Sequence, residues 1–131
     1  MGRMAHPRVY DDADPLLARV RAIALTFPDA REVEAWGRPT FRAATPMFAV
    51  YGVHDGHDTG LVFKPDPDER PALEHDRRFY APPYHGPFGW LAIDLGDDTD
   101  WDEVHELLDS SYRQVATKAR VAALDALGPA Q

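Results

Sequence analysis

Apolar residues recur at helical spacing near the start of the chain and again near its end. The first helix is predicted from Asp14 and Pro15, a capping residue followed by a residue favoured at the first helical position, and Pro28 stops it. Its stripe is Leu16, Leu17, Val20, Ile23, Ala24 and Phe27. Thr99 or Asp100 caps a second helical region, with a break expected near 110–112 or at Thr117. Its stripe is Trp101, Val104, Leu107, Leu108, Val115, Val121, Leu124 and Leu127.

Between these helices, short alternating or apolar runs predict β-strands. The predicted strands are 32–36, 39–43, 47–53, 61–64 and 90–95, with a short helix from Asp66 to about His75. The polar segment 54–60 predicts a hairpin loop, and 76–89 a long loop rich in proline, glycine and aromatic residues. Hairpin-linked strands indicate an α+β fold, a two-layer α/β sandwich with a mainly antiparallel sheet and helices on one face. Residues 13–128 are expected to form one domain, and residues 1–12 a flexible tail.

Strand alternation predicts what the uncovered face of this sheet presents. Trp36, Arg38, Thr40 and Arg42 share that face if the turn at Gly37 keeps the register. By the same alternation Trp90, Ala92 and Asp94 face outward, and so do Val62 and Lys64. Two interpretations stay open. Either the cations and tryptophans form a binding face, or Glu34 and Asp94 pair with the arginines while the tryptophans cover apolar surface.

The loop before the last strand adds Arg77, Arg78, Phe79, Tyr80 and Tyr84. It either forms a wing beside the open face or packs over an edge of the sheet.

Charge is unevenly distributed along the 131 residues. The chain has 22 acidic and 14 basic residues and a net charge of −8. Residues 79–112 hold eight of the acids and no lysine or arginine, so the remainder is neutral. This distribution predicts an acidic surface at the last helix and a cationic surface on the sheet face and the 77–84 loop.

Several classes of chemistry find no support. There is no cysteine, which excludes disulfides, thiol catalysis and iron–sulfur clusters. The pair His54 and His57 lies in a polar loop that does not enforce the shared geometry of a zinc site, and the acids at 97–102 do not match a calcium loop. No nucleophile, base and orienting group are placed together. We therefore expect no metal, no cofactor and no enzymatic activity. A cytoplasmic location is expected, since no apolar run is long enough to span a membrane.

Four motifs in this order are similar to those of the MmcQ/YjbR family of small bacterial proteins. They are 36–42 (WGRPTFR), 64–73 (KPDPDERPAL), 79–90 (FYAPPYHGPFGW), and 100–104 (DWDEV) with 111–113 (SYR) and Lys118. The resemblance spans roughly 16–124. It implies a YjbR-like fold of order αβββαββα, similar to secretion chaperones, with an extra strand near Phe79. It also implies DNA binding, because the fold resembles a double-wing DNA-binding domain.

Two functions follow as hypotheses. The first is a non-enzymatic DNA-binding protein that contacts phosphates through cations and bases or sugars through aromatic rings. The candidate contacts are Arg38, Arg42, Lys64, Arg70, Arg77, Arg78, Trp36, Tyr84 and Trp90. The second is a protein- or peptide-binding module that uses the aromatic loop and the tryptophan-bearing sheet face, with no nucleic-acid role.

Overall fold

The computed structural model describes residues 7–54 and 56–128, and it confirms the α+β class with a six-stranded sheet. The helices are α1 (Pro15–Ala24), α2 (Arg70–Glu74), α3 (Trp101–Val115) and α4 (Lys118–Ala126). The strands are β1 (Ala30–Ala35), β2 (Arg38–Ala43), β3 (Met47–Val53), β4 (His57–Phe63), β5 (Phe79–Tyr80) and β6 (Leu91–Asp94). Four strands therefore precede α2, as the pattern predicted, where the order implied by the resemblance has three.

Neighbouring strands pair antiparallel throughout, in the spatial order β1-β2-β3-β4-β6-β5. The edge strand β5 confirms the extra strand near Phe79. One face of the sheet packs against α1 and α3 around a large buried cluster that includes Phe41, Phe48, Phe63 and Tyr112. Leu91, Ile93 and Leu95 belong to this cluster, so the predicted facing of the last strand is right.

Side-chain caps set the starts of α1 and α3 where the sequence predicted them, whereas α1 ends at Ala24 and not at Pro28. The Asp14 carboxylate accepts a hydrogen bond from the backbone N–H of Leu16 at 2.9 Å. The Asp100 carboxylate does the same for the N–H of Asp102 at 3.0 Å. The helical region breaks at Thr117, which caps α4 after an extended residue at position 116.

Two sequence predictions need correction here. The predicted loop 54–60 is shorter, because β4 already begins at His57, where Val53 pairs with it. The polar residues 57–60 belong to this strand, and the Thr59 hydroxyl donates to the backbone oxygen of Leu95 at 2.9 Å. The short helix begins at Arg70, because the Asp66 carboxylate accepts from the N–H of Asp68 in a preceding turn.

The predicted N-terminal tail is described only in part, since residues 1–6 lie outside the described residues. From residue 8 onward the segment contacts the domain. The N–H of Val9 bonds the oxygen of Gly37 at 3.0 Å, and Asp12 pairs with Arg21 at 2.6 Å.

The other face of the sheet is less open than predicted. A second buried cluster lies there, formed by Val50, Val53, Val62 and Ala92, with Met47, Tyr80 and Trp90 packed against it. The chain that leads from β5 to β6 comes back over this cluster. The predicted solvated face is therefore partly covered by the protein's own loop.

An aromatic cavity as candidate functional site

A cavity of about 530 Å³ lies between the second face of the sheet and the 82–85 segment of the loop. We call it the aromatic cavity. Its lining residues are Trp36, Arg38, Val50, Gly52, Val53, His54, Val62, Pro82, Pro83, Tyr84 and His85. Its size is within the range of ligand sites, and its lining is mainly apolar with few polar groups.

Trp36 is placed by a tight hairpin turn. Ala35 pairs with Arg38, which leaves a two-residue turn of Trp36 and Gly37 with φ angles of 56° and 76°. Positive φ at both central positions is typical of a type I′ turn, whose twist matches the flanking strands. At Gly37 a Cβ atom would lie 2.0 Å from the backbone oxygen of Pro7, so no larger residue fits.

Trp36 and Tyr84 both hold a left-handed backbone conformation, with φ of 56° and 67°. This conformation is costly for a bulky residue and is found where the surrounding structure enforces it. Their side chains nevertheless stay 48% and 75% exposed at the cavity mouth. Two exposed aromatic rings on strained backbone are unusual for a surface that only faces water.

His85 joins the loop to the sheet side of the cavity. Its ring lies 5.7 Å from the Trp36 ring and 5.9 Å from the Trp90 ring, measured between centroids. Burial lowers the pKa of His85, because the charged imidazolium loses its hydration. His85 is therefore neutral at neutral pH.

Arg38 is the charged group of the cavity lining, and it is only 8% exposed. Its Nε is buried and has no hydrogen-bond partner among residues 7–54 and 56–128. Burial lowers the pKa of its guanidinium, and the charge of Asp58 partly opposes that shift. The described residues place no carboxylate within ion-pair distance of Arg38.

Gly52 makes room for this guanidinium. A Cβ atom at Gly52 would lie 2.3 Å from Nη1 of Arg38, and its φ is 96°. The register between β3 and β4 shifts between Tyr51 and Val53, a local irregularity of the kind that bulges produce. The bulge and the missing side chain together let Arg38 lie against the backbone of β3.

The structure brings together only some of the nine predicted contact residues. Trp36, Arg38 and Tyr84 line the aromatic cavity, and Trp90 lies beside it against His85. The remaining cations lie apart from the cavity lining: Arg42, Lys64, Arg70, Arg77 and Arg78.

Two of those cations are paired with acids. Arg70 lies 3.4 Å from Glu74. Arg78 pairs with Asp76 and with Glu103 of α3, each at 2.8 Å. The predicted separation of a cationic loop from the acidic helix is therefore wrong for Arg78, because the start of β5 runs along the helical side of the sheet.

The predicted alternative, in which Glu34 and Asp94 pair with the arginines of the sheet face, is wrong because both acids bind other residues. Glu34 accepts hydrogen bonds from Arg8 and Tyr10, both at 3.0 Å. Asp94 accepts from Tyr80 at 2.6 Å and lies 2.8 Å from Nδ1 of His57. In the described part of the chain Arg38 has no acid partner, and the 82–85 segment of the loop lies across the cavity from it.

Sequence reasoning missed Gly52, Pro82 and His85 as parts of the site. Prolines and a histidine in a segment rich in proline and glycine resemble any surface loop. The one available signal was the density of aromatic residues in 79–90, which indicates a segment that packs against something.

The α+β fold is similar to that of protein DR2400 of Deinococcus radiodurans, described as a DUF419 domain. The two structures superpose with a TM-score of 0.64 at 20% identity, over 83% of this chain and 87% of that one. The YjbR family model matches residues 25–114, so the chain belongs to the YjbR family. None of the curated proteins compared with the sequence matches it.

None of the helices in the described part of the chain combines the length and the apolar composition that a membrane span requires. Within 7–54 and 56–128, no group of three histidine or acidic side chains is placed to hold a metal ion.

Proposed function

We propose that this chain is a non-enzymatic binding module whose aromatic cavity takes up part of a protein or peptide partner. The observation that supports this most directly is the pairing of an apolar cavity with exposed aromatic rings at its mouth. Tyr84 is 75% exposed and Trp36 is 48% exposed, and both line the cavity. Tyrosine and tryptophan in such positions are typical anchors of interfaces.

The rigidity of the cavity favours the same function. Trp36 is fixed by a two-residue turn, and Pro82 and Pro83 restrict the loop opposite it. A site that is already formed loses little conformational entropy when a partner binds.

A selected peptide library tests the proposal. Random peptides displayed on phage through their N-termini, so that each C-terminus is free, are selected on the protein, and individual synthetic peptides are then measured by fluorescence anisotropy. We expect Trp36→Ala to weaken binding roughly tenfold or more, as for an interface anchor. Leu127→Ala is the matched control, because Leu127 is 64% exposed on the helical side.

Peptides that bind the wild type, Trp36→Ala and Tyr84→Ala equally well would contradict the proposal, because such peptides do not use the aromatic cavity. Thermal unfolding of each variant shows whether a loss of binding is a loss of folding.

DNA binding is the second candidate function. It is favoured by exposed rings at Trp36 and Tyr84, on which unpaired bases could stack, and by Arg42 on the same strand as Arg38. The ion pairs of Arg70 and Arg78 count against it, because a phosphate would have to displace Glu74, Asp76 or Glu103.

Fluorescence anisotropy with duplex and single-stranded DNA across a salt series tests this candidate. Electrostatic binding weakens as salt rises, with a log–log slope of about −0.9 per phosphate neutralised on duplex DNA. We expect Arg42→Ala with Arg77→Ala to flatten the slope. An absence of binding at about 50 mM salt, where electrostatic attraction is weakly screened, would end the DNA-binding interpretation.

A further inference from the structure

Arg38 carries a charge for which the described part of the chain provides no acid. Its side chain is more than nine-tenths buried, and its Nε donates to no acceptor. Buried donors are nearly always satisfied in proteins, and buried charges are nearly always paired. An exception at the wall of a cavity indicates a partner that comes from outside.

The neighbours of Arg38 supply little compensation. The valines and prolines of the lining have no charge, and burial lowers the pKa of His85, so its ring adds no charge at neutral pH. Asp58 is exposed and acts on Arg38 only through its longer-range charge. One net positive charge therefore lies in surroundings of low polarity, where its attraction for an anion is strong.

We propose that the aromatic cavity binds a ligand that carries a carboxylate, with the carboxylate on the Arg38 guanidinium and an apolar or aromatic body beside Trp36. This inference rests on the proposed function, whose site it specifies. The planar guanidinium matches the two oxygens of a carboxylate. A peptide C-terminus and a small organic acid offer this same chemistry.

A monoanion fits better than a phosphate dianion. The lining contains a single guanidinium, and the nearby charge of Asp58 is negative. A second negative charge on the ligand would have no partner and would lose its hydration in an apolar cavity. The valine and tryptophan walls favour a carbon skeleton over a ribose or a polyphosphate.

The first experiment compares phenylacetate with phenylacetamide, which has nearly the same shape and no charge. The Nε–H resonance of Arg38 is followed by ¹H–¹⁵N NMR during each titration. We expect phenylacetate to shift that resonance and to bind at least tenfold more tightly than phenylacetamide. Equal binding of the two compounds, or no shift at Arg38, would overturn the carboxylate site.

Two substitutions test whether Arg38 is the group that recognises the carboxylate. Arg38→Met should abolish the preference for phenylacetate over phenylacetamide, whereas Arg31→Met should leave it unchanged. Arg31 lies exposed on β1 and is absent from the cavity lining, so it controls for the loss of one positive charge. A preference that survives Arg38→Met overturns the assignment.

The peptides selected above distinguish the two sources of carboxylate and separate the two proposals. Each peptide is made as a free acid and as a C-terminal amide. A loss of binding on amidation supports a peptide C-terminus on Arg38. If peptide binding requires Trp36 but is unaffected by amidation, and phenylacetate does not bind, the carboxylate site is overturned. The peptide-binding function is then still supported. Binding of phenylacetate without any Trp36-dependent peptide supports the carboxylate site and overturns the peptide-binding function.

Discussion

Replacing Arg38 by methionine should make the free protein more stable. Arg38 is 8% exposed and its Nε has no acceptor among the described residues, so folding removes hydration of that N–H which they do not replace. An unsatisfied buried polar group costs about 1–3 kcal/mol. Methionine keeps an unbranched chain of similar length and adapts to irregular spaces, so most of the packing of the aliphatic part is retained.

The expected gain in the free energy of unfolding is about 1–2 kcal/mol, after some loss of the attraction to Asp58. For a chain of this size each kcal/mol corresponds to about 3–5 °C, so Tm should rise by about 3–10 °C. The cavity would then have an apolar floor, and the protein would lose carboxylate binding while it gains stability. That combination is typical of a residue kept for function.

Calorimetry and urea unfolding measure this change, with Arg42→Met as the comparison. Arg42 donates to Thr40 Oγ1 at 3.2 Å and to the Thr45 oxygen at 3.4 Å, so its removal should bring no gain. The reasoning is refuted if Arg38→Met unfolds at the same temperature as the wild type or at a lower one. In that case Arg38 would already be satisfied in solution.

Three further predictions concern Trp36, His85 and Ser111. Trp36→Gly should be more stable than Trp36→Ala by about 1 kcal/mol, because glycine adopts the φ of 56° without strain. Equal free energies of unfolding in urea would show that the turn relaxes in the alanine variant. Burial lowers the pKa of His85, so the unfolded chain binds the proton of this residue more readily than the folded chain, and the free energy of unfolding should fall as pH drops below about 6.5. The Tm of His85→Phe should vary less over that pH range. An identical pH profile of Tm in the wild type and the variant would show that His85 is hydrated. Ser111→Ala should lower the free energy of unfolding by about 1–3 kcal/mol, because the buried hydroxyl donates to the Phe48 oxygen at 2.6 Å and accepts from the Lys64 N–H at 2.8 Å. A decrease below about 0.5 kcal/mol would show that a water molecule replaces the hydroxyl.

The helices and strands were largely predictable, because local chemistry specifies them. Asp14 and Asp100 cap the helices that the apolar stripes predicted, and the alternation in 90–95 gave the right facing for β6. The start of β4 was not predictable in this way. His57 has no strand-like pattern of its own and is held there by pairing with Val53 and by contact with Asp94.

The candidate site was only half predictable for a related reason. Alternation correctly put Arg38, Trp36 and Trp90 on the side of the sheet away from the helices. It could not show that the 82–85 segment returns over that side and removes Arg38 from water. Nor could it show that Arg78 would meet Glu103 across 25 residues of sequence.

The sequence by itself determined the α+β class, the family motifs and the excess of acids near the last helix, because each depends on neighbouring residues or on composition. Tertiary structure alone decided which cations are paired, which face is covered, and that Arg38 is buried at Gly52 with no acid partner in the described part of the chain. Those outcomes depend on contacts between segments far apart in the chain, whose energies the local pattern does not contain. A net charge of −8 describes the whole molecule, whereas the site is defined by a single positive charge enclosed by apolar walls.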